Sequence, residues 1–138
     1  SNAEGNRKQI DRALQLAREY PDVISGLIVG NEVLLRGEMA GSDLAALIRQ
    51  VKQKSNVPVP YADVWEFWLR HRDVYEAVDF VTIHILPYWE DFPIPARHAA
   101  SHVGNIRRQV AQAFPGHHIL AGATGRVAAA RAGGGAVV

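Results

Sequence analysis

The chain has 138 residues, enough for one domain with a real core. Its 48% hydrophobic and 21% charged residues are ordinary for a globular protein, and a formal net charge of +1 argues against nucleic-acid or anionic-membrane partners. No apolar run reaches the roughly 18 residues of a transmembrane helix, and the lack of cysteine excludes disulfides, thiolate chemistry and Cys-based zinc sites.

Ser1-Asn2-Ala3 reads as a scar of tag removal and is set apart from the fold, and no signal-peptide pattern follows it. From Asn6 to Tyr20, Ile10, Ala13, Leu14 and Ala17 recur at helical spacing, and Pro21-Asp22 ends the helix. Val23 to Val29 reads as a strand, with Leu27, Ile28 and Val29 a continuous apolar run of the kind covered on both faces. Gly30 lets the backbone leave that strand at an unusual angle. Asn31 and Glu32 follow where, in parallel α/β folds, ligands bind. A carboxylate there can act as a general acid and the Asn amide can hydrogen-bond a sugar hydroxyl; equally, Glu32 can cap the next segment or sit in solvent.

Ser42-Asp43 can cap a helix whose stripe is Leu44, Leu47, Ile48 and Val51. Val57 to Tyr61 reads as a short strand, although Pro58 and Pro60 have no N–H to give a sheet ladder. Asp63 to Glu76 is rich in aromatics; Trp65 and Trp68 are expected in the core, with a sugar-stacking platform as the other reading. Val78 to Ile85 is a third strand, and Leu86 to Pro95 a proline-stiffened loop carrying Tyr88, Trp89, Glu90 and Asp91. Pro95 to Phe114 is helical on the spacing of Ala99, Val103, Ile106, Val110 and Ala113; His117 to Gly122 is a fourth strand, and the tail from Arg126 lacks periodicity. Helices and strands alternate four times, which predicts an α/β fold with a parallel sheet.

Asn31, Glu32, Tyr61, His84 and Ala123 all fall at carboxyl ends of these strands, which argues for one shared site. His117 and His118 are adjacent on a strand, point to opposite faces and make a poor metal pair, so no metal and no cofactor is expected.

Three stretches carry a family resemblance: Ile28-Val29-Gly30-Asn31-Glu32-Val33, Val59-Pro60-Tyr61-Ala62-Asp63, and Asp79 through His84 to Trp89. They resemble the β-1,3-glucanases of glycoside hydrolase family 17, bacterial members in particular, from about Asn6 to the C-terminus. The resemblance implies a TIM-barrel-type fold. Because a complete (β/α)8 barrel takes about 250 residues, it implies about half a barrel, four helix–strand units over residues 4–125, with an irregular tail at 126–138. It implies retaining hydrolysis of β-1,3-glucan or its oligosaccharides, with Glu32 as acid/base; Asn31, Tyr61, His84, Tyr88 and Trp89 would contact sugar. A β-1,3-glucan transglycosylase and a non-catalytic glucan-binding remnant are the alternatives, and a periplasmic or cell-envelope location is the expectation.

The family's nucleophile lies in a pattern close to Glu-Thr-Gly-Trp-Pro-Ser. Here Ala123-Thr124-Gly125-Arg126-Val127-Ala128 stands in its place, so Ala123 occupies the nucleophile position and a methyl group cannot attack an anomeric carbon. Glu38, Glu66, Glu90 and Asp91 are better read as solvated charges than as substitutes. Four parallel strands cannot close on themselves, so their open edges predict a homodimer; a sedimenting species at the 15.1 kDa chain mass would contradict it.

Overall fold

The computed structural model describes residues 2–87 and 93–124. Five α-helices and three strands run in the order α1 (Asn2–Glu19), α2 (Gly41–Lys54), β1 (Tyr61–Val64), α3 (Trp65–Arg70), α4 (Arg72–Ala77), β2 (Val81–Ile85), α5 (Ala99–Ala113) and β3 (Ile119–Thr124). A single 3-10 turn, Ala96–His98, leads into α5. The sheet is wholly parallel in the order β1-β2-β3. It is the α/β arrangement predicted from the alternation of patterns, and parallel neighbours require helical crossovers of the kind α3–α4 and α5 supply. Among the described residues, no helix is long and apolar enough to cross a membrane.

The amphipathic helices follow their stripes. Leu14 and Ala17 of α1, Leu44, Ile48 and Val51 of α2, and Ile106 and Val110 of α5 are all buried. Helix α1 already begins at Asn2, within the segment set apart as a tag scar. The aromatic stretch after β1 splits into α3 and α4 at His71, whose φ of −127° and ψ of 70° are non-helical.

Two strand expectations need correction. The segment 23–29 is not a regular strand. It runs extended beside residues 58–62, with Leu27 N–H donating to Pro58 O at 2.9 Å and Val29 N–H to Pro60 O at 3.4 Å, and it meets the sheet in one isolated bridge, Asn31 to Ala62. Pro60 has no N–H to return to Leu27, so a two-way ladder cannot form there. For the same reason β1 starts at Tyr61, after both prolines, rather than at Val57. The intervening Val59 N–H donates instead to Asp79 Oδ2 at 2.7 Å, and Lys52 Nζ lies 3.0 Å from the other oxygen of that carboxylate.

Burial corrects the reading of the first apolar run as well. Val29 is buried but Ile28 is 57% exposed, since neighbouring residues of an extended chain point to opposite faces. On β3, Leu120 is 51% exposed. Between β1 and β3, β2 is buried at every position and forms the centre of the core. Trp68 seals the core beneath it: it is 1% exposed and its Nε1–H donates to Thr82 O at 2.9 Å. Trp65 is half-buried.

Candidate active site

The carboxyl ends of the extended segment, β1 and β2 lie side by side, and they bring together residues far apart in sequence. Gly30 has a φ of 79°, and a Cβ there would lie 2.6 Å from Val33 Cγ2. Only glycine fits this exit from the extended segment. Asn31 is exposed and sits at the bridge to Ala62, and Glu32 N–H donates to Ala62 O at 2.9 Å.

Glu32 itself has a φ of 54°, and among the described residues no other non-glycine has a positive φ. An L-residue in the left-handed region is disfavoured by about 1–2 kcal/mol, so the surrounding structure holds Glu32 there against its own preference. The usual order of alanine and glycine should therefore invert at this position. With the side chain's own contacts removed in both variants, Glu32→Gly is expected to be more stable than Glu32→Ala by about 1 kcal/mol. Urea denaturation of the pair measures this, and an alanine variant equal to or more stable than glycine would contradict it.

The strained turn directs the Glu32 side chain onto His84. Glu32 Oε1 and His84 Nδ1 are 2.7 Å apart, and their side chains are 25% and 10% exposed. The carboxyl is thus partly desolvated yet reachable from outside, and it shares a hydrogen bond with a second proton-carrying group. A carboxyl group so placed can give and take a proton.

His84 is held from both sides. In register it pairs with Val64 on β1 and with Ala123 on β3. The β2–β3 ladder is irregular between Ile83 and His84: Ile83 pairs with Ala121 and His84 with Ala123, so Gly122 is the extra residue of a bulge. A Cβ at Gly122 would lie 2.5 Å from Thr82 Cγ2 and 3.2 Å from His84 Nε2, so the glycine leaves room for the imidazole. The bulge brings position 123, rather than 122, opposite His84.

Tyr61 departs from its expected role. It is fully buried, and its phenol oxygen bonds Leu34 N–H at 3.1 Å and donates to the Asp63 carboxylate. A side chain closed off in this way does not contact sugar; it supports the floor of the site. Burial, reinforced by the hydrogen bond to Asp63, raises its pKa well above the ordinary tyrosine value and keeps the hydroxyl protonated as a donor.

Asp63 is the residue that pattern reading passed over. It is fully buried at the end of β1 and accepts Leu34 N–H at 3.2 Å, Val64 N–H at 2.7 Å and the Tyr61 hydroxyl. A lone carboxylate inside the otherwise uncharged run from Val57 to Trp65 was the available signal.

Of the other acidic candidates, exposed Glu38 is paired with Arg36 through bonds of 2.6 and 3.1 Å, and the hydrogen bond from Arg36 holds its carboxyl below the usual range. Glu66 is half-buried in the first turn of α3. His117 packs its ring edge on Tyr75, centroids 4.8 Å apart, while His118 is exposed. Tyr88, Trp89, Glu90, Asp91 and the tail from Arg126 lie outside the described residues.

The whole chain, residues 1–138, matches the BtgE/BtgC glycoside hydrolase domain. Two solved structures from Rhizomucor miehei are similar to it. One is an active-site mutant of a β-1,3-glucanosyltransferase in complex with laminaritriose, at 29% identity and a TM-score of 0.69. The other is described as a glycoside hydrolase family 17 β-1,3-glucanosyltransferase, at 28% identity and a TM-score of 0.68. In each case 86% of this chain is covered but only 46% of the relative, so the chain spans about half their length. A search of curated proteins finds no match. Motifs, fold and whole-length match agree: the chain belongs to the BtgE/BtgC glycoside hydrolase domain family.

Proposed function

We propose that this chain is the part of a TIM-barrel-type glycoside hydrolase domain that carries the acid/base carboxyl, Glu32, and that the ligand of its site is β-1,3-glucan. The observation that carries this reading is Glu32 itself, strained into the left-handed region and directed onto His84 at 2.7 Å. Surface glutamates have no cause to hold such a conformation, whereas sites of chemistry do. The parallel sheet, whose two edges are open among the described residues, and the coverage of 46% of each solved relative support the half-barrel reading.

In the retaining reaction, Glu32 would protonate the glycosidic oxygen as a second carboxylate, about 5–5.5 Å away, attacks the anomeric carbon. Glu32 would then take a proton from the incoming group, which is water in a hydrolase and a sugar hydroxyl in a transglycosylase. The two solved relatives favour the transfer reading, since both are named glucanosyltransferases. Ala123, opposite His84 in the sheet, stands where the motif resemblance places the attacking carboxylate. Its methyl group has no electron pair to offer, so the chain as it stands is expected to hold glucan without turning it over.

Calorimetric titration with laminaritriose tests the substrate class. Saturable binding, weakened about ten-fold or more by Glu32→Ala and untouched by substituting the exposed Glu76 of α4, is the expected result. Equal affinity for laminaritriose and an α-linked trisaccharide, or no binding to either, would count against it.

A further inference from the structure

Glu32 adopts a backbone conformation that glutamate disfavours, and something must hold it there. On its N-terminal side the hold is the sheet, through the Asn31–Ala62 bridge and the 2.9 Å bond from Glu32 N–H to Ala62 O. Beyond Glu32 the chain turns back on itself: Arg36 N–H reaches Glu32 O at 3.0 Å and Glu38 N–H reaches Val33 O at 3.1 Å. Those bonds close the turn but do not fix it to the sheet. That anchor is Leu34 N–H, which donates to Asp63 Oδ2 at 3.2 Å and to the Tyr61 oxygen at 3.1 Å.

We propose that Asp63 is a positioning residue for the acid/base group: its buried carboxylate clamps the Leu34 N–H to β1 and so keeps Glu32 in the left-handed turn that aims it at His84. The proposal deepens the reading of Glu32 as acid/base and rests on it. A carboxylate buried in a core is costly unless donors surround it. Here three converge on Asp63, from Val64, Leu34 and Tyr61. Only the Leu34 donor lies outside β1, so the group reaches across to the loop rather than capping its own strand alone. Tyr61 takes part as well: its oxygen meets the backbone N–H groups of Leu34 and Val33, and its hydroxyl is oriented by Asp63.

Asp63→Asn separates positioning from packing. The amide has the same shape but one acceptor oxygen. If that oxygen keeps Val64 N–H, the NH2 group faces Leu34 N–H, donor against donor. In the Asn variant the Leu34 amide is expected to exchange with solvent at least ten-fold faster, while the Ile83 amide of the central strand keeps its rate. The strong intraresidue HN–Hα cross-peak that a positive φ gives Glu32 should weaken, and laminaritriose affinity should fall about ten-fold. Tyr61→Phe should do less on all three measures, because the carboxylate still holds Leu34.

A Glu32 cross-peak unchanged in a folded Asp63→Asn protein would overturn the proposal. A Tyr61→Phe variant as severe as Asp63→Asn would do the same, by moving the clamp to Tyr61. Should Asp63→Asn fail to fold, Tyr61→Phe still decides: Leu34 protection and the Glu32 cross-peak kept in that variant support the carboxylate clamp, and Leu34 protection lost while Ile83 keeps its rate moves the clamp to Tyr61 and contradicts it. If the unaltered chain does not bind laminaritriose, the glucan reading falls, while the cross-peak and exchange still decide the role of Asp63.

Discussion

Laminarin incubated with this chain is expected to stay intact, with turnover about four orders of magnitude or more below that of a relative carrying both carboxylates. The magnitude follows from how retaining machinery works: acid and nucleophile act as a unit, and removing the nucleophile alone forfeits most of what the pair achieves. The site retains a partly desolvated carboxyl on His84, the proposed proton donor, but position 123, opposite His84, is alanine. Asp63 does not replace it, because its two oxygens are buried and engaged by three donors. Glu38 does not either, since it is tied to Arg36. Reducing-end release and product chain length are the measurements. Glucose or short oligosaccharides that disappear in Glu32→Gln would show that another group attacks, and the assignment of position 123 would be wrong.

Trp68→Ala should cost about 3–5 kcal/mol of stability, out of the 5–15 kcal/mol that a domain typically has. Trp68 is 1% exposed. Its ring lies 5.6 Å from that of Tyr61 at 59° and 6.4 Å from that of Phe114 at 68°, the tilted and edge-on geometries aromatic pairs favour. Its Nε1–H also satisfies the Thr82 carbonyl within the central strand. Alanine would leave a cavity under β2 and remove the indole's hydrogen bond to Thr82 O, and the two costs add. Trp68→Phe should lose less, since it refills most of the volume and forfeits the hydrogen bond. Urea midpoints of the two variants check the order. A Trp68→Ala protein within about 1 kcal/mol of the original would contradict this account of the core.

The sequence by itself determined what short-range physics controls. Helical stripes marked α1, α2 and α5, because burial of one face at a period of 3.6 needs no knowledge of the partner. The alternation of helix and strand patterns carried the parallel sheet. Gly30-Asn31-Glu32 was readable as a strand exit, since a glycine after an apolar run constrains the backbone locally. Pro58 and Pro60 even announced the ladder that fails to form, although the resulting shift of β1 to Tyr61 needed the register to appear.

Tertiary structure decided everything that depends on which strands become neighbours. Glu32 and His84 are 52 residues apart, and only the sheet order places their atoms 2.7 Å from each other. Asp63 looked like one more acidic residue until Leu34, 29 residues earlier, was seen to donate to it. Tyr61, expected at a strand's carboxyl end as a sugar contact, instead begins β1 and is fully buried, its oxygen accepting Leu34 N–H from the loop. The bulge at Gly122, which sets position 123 opposite His84, leaves no periodic trace in the sequence. Register is fixed by the packing of whole faces and by the hydrogen bonds the neighbouring backbone has left to give, and neither is a property of any single stretch of chain.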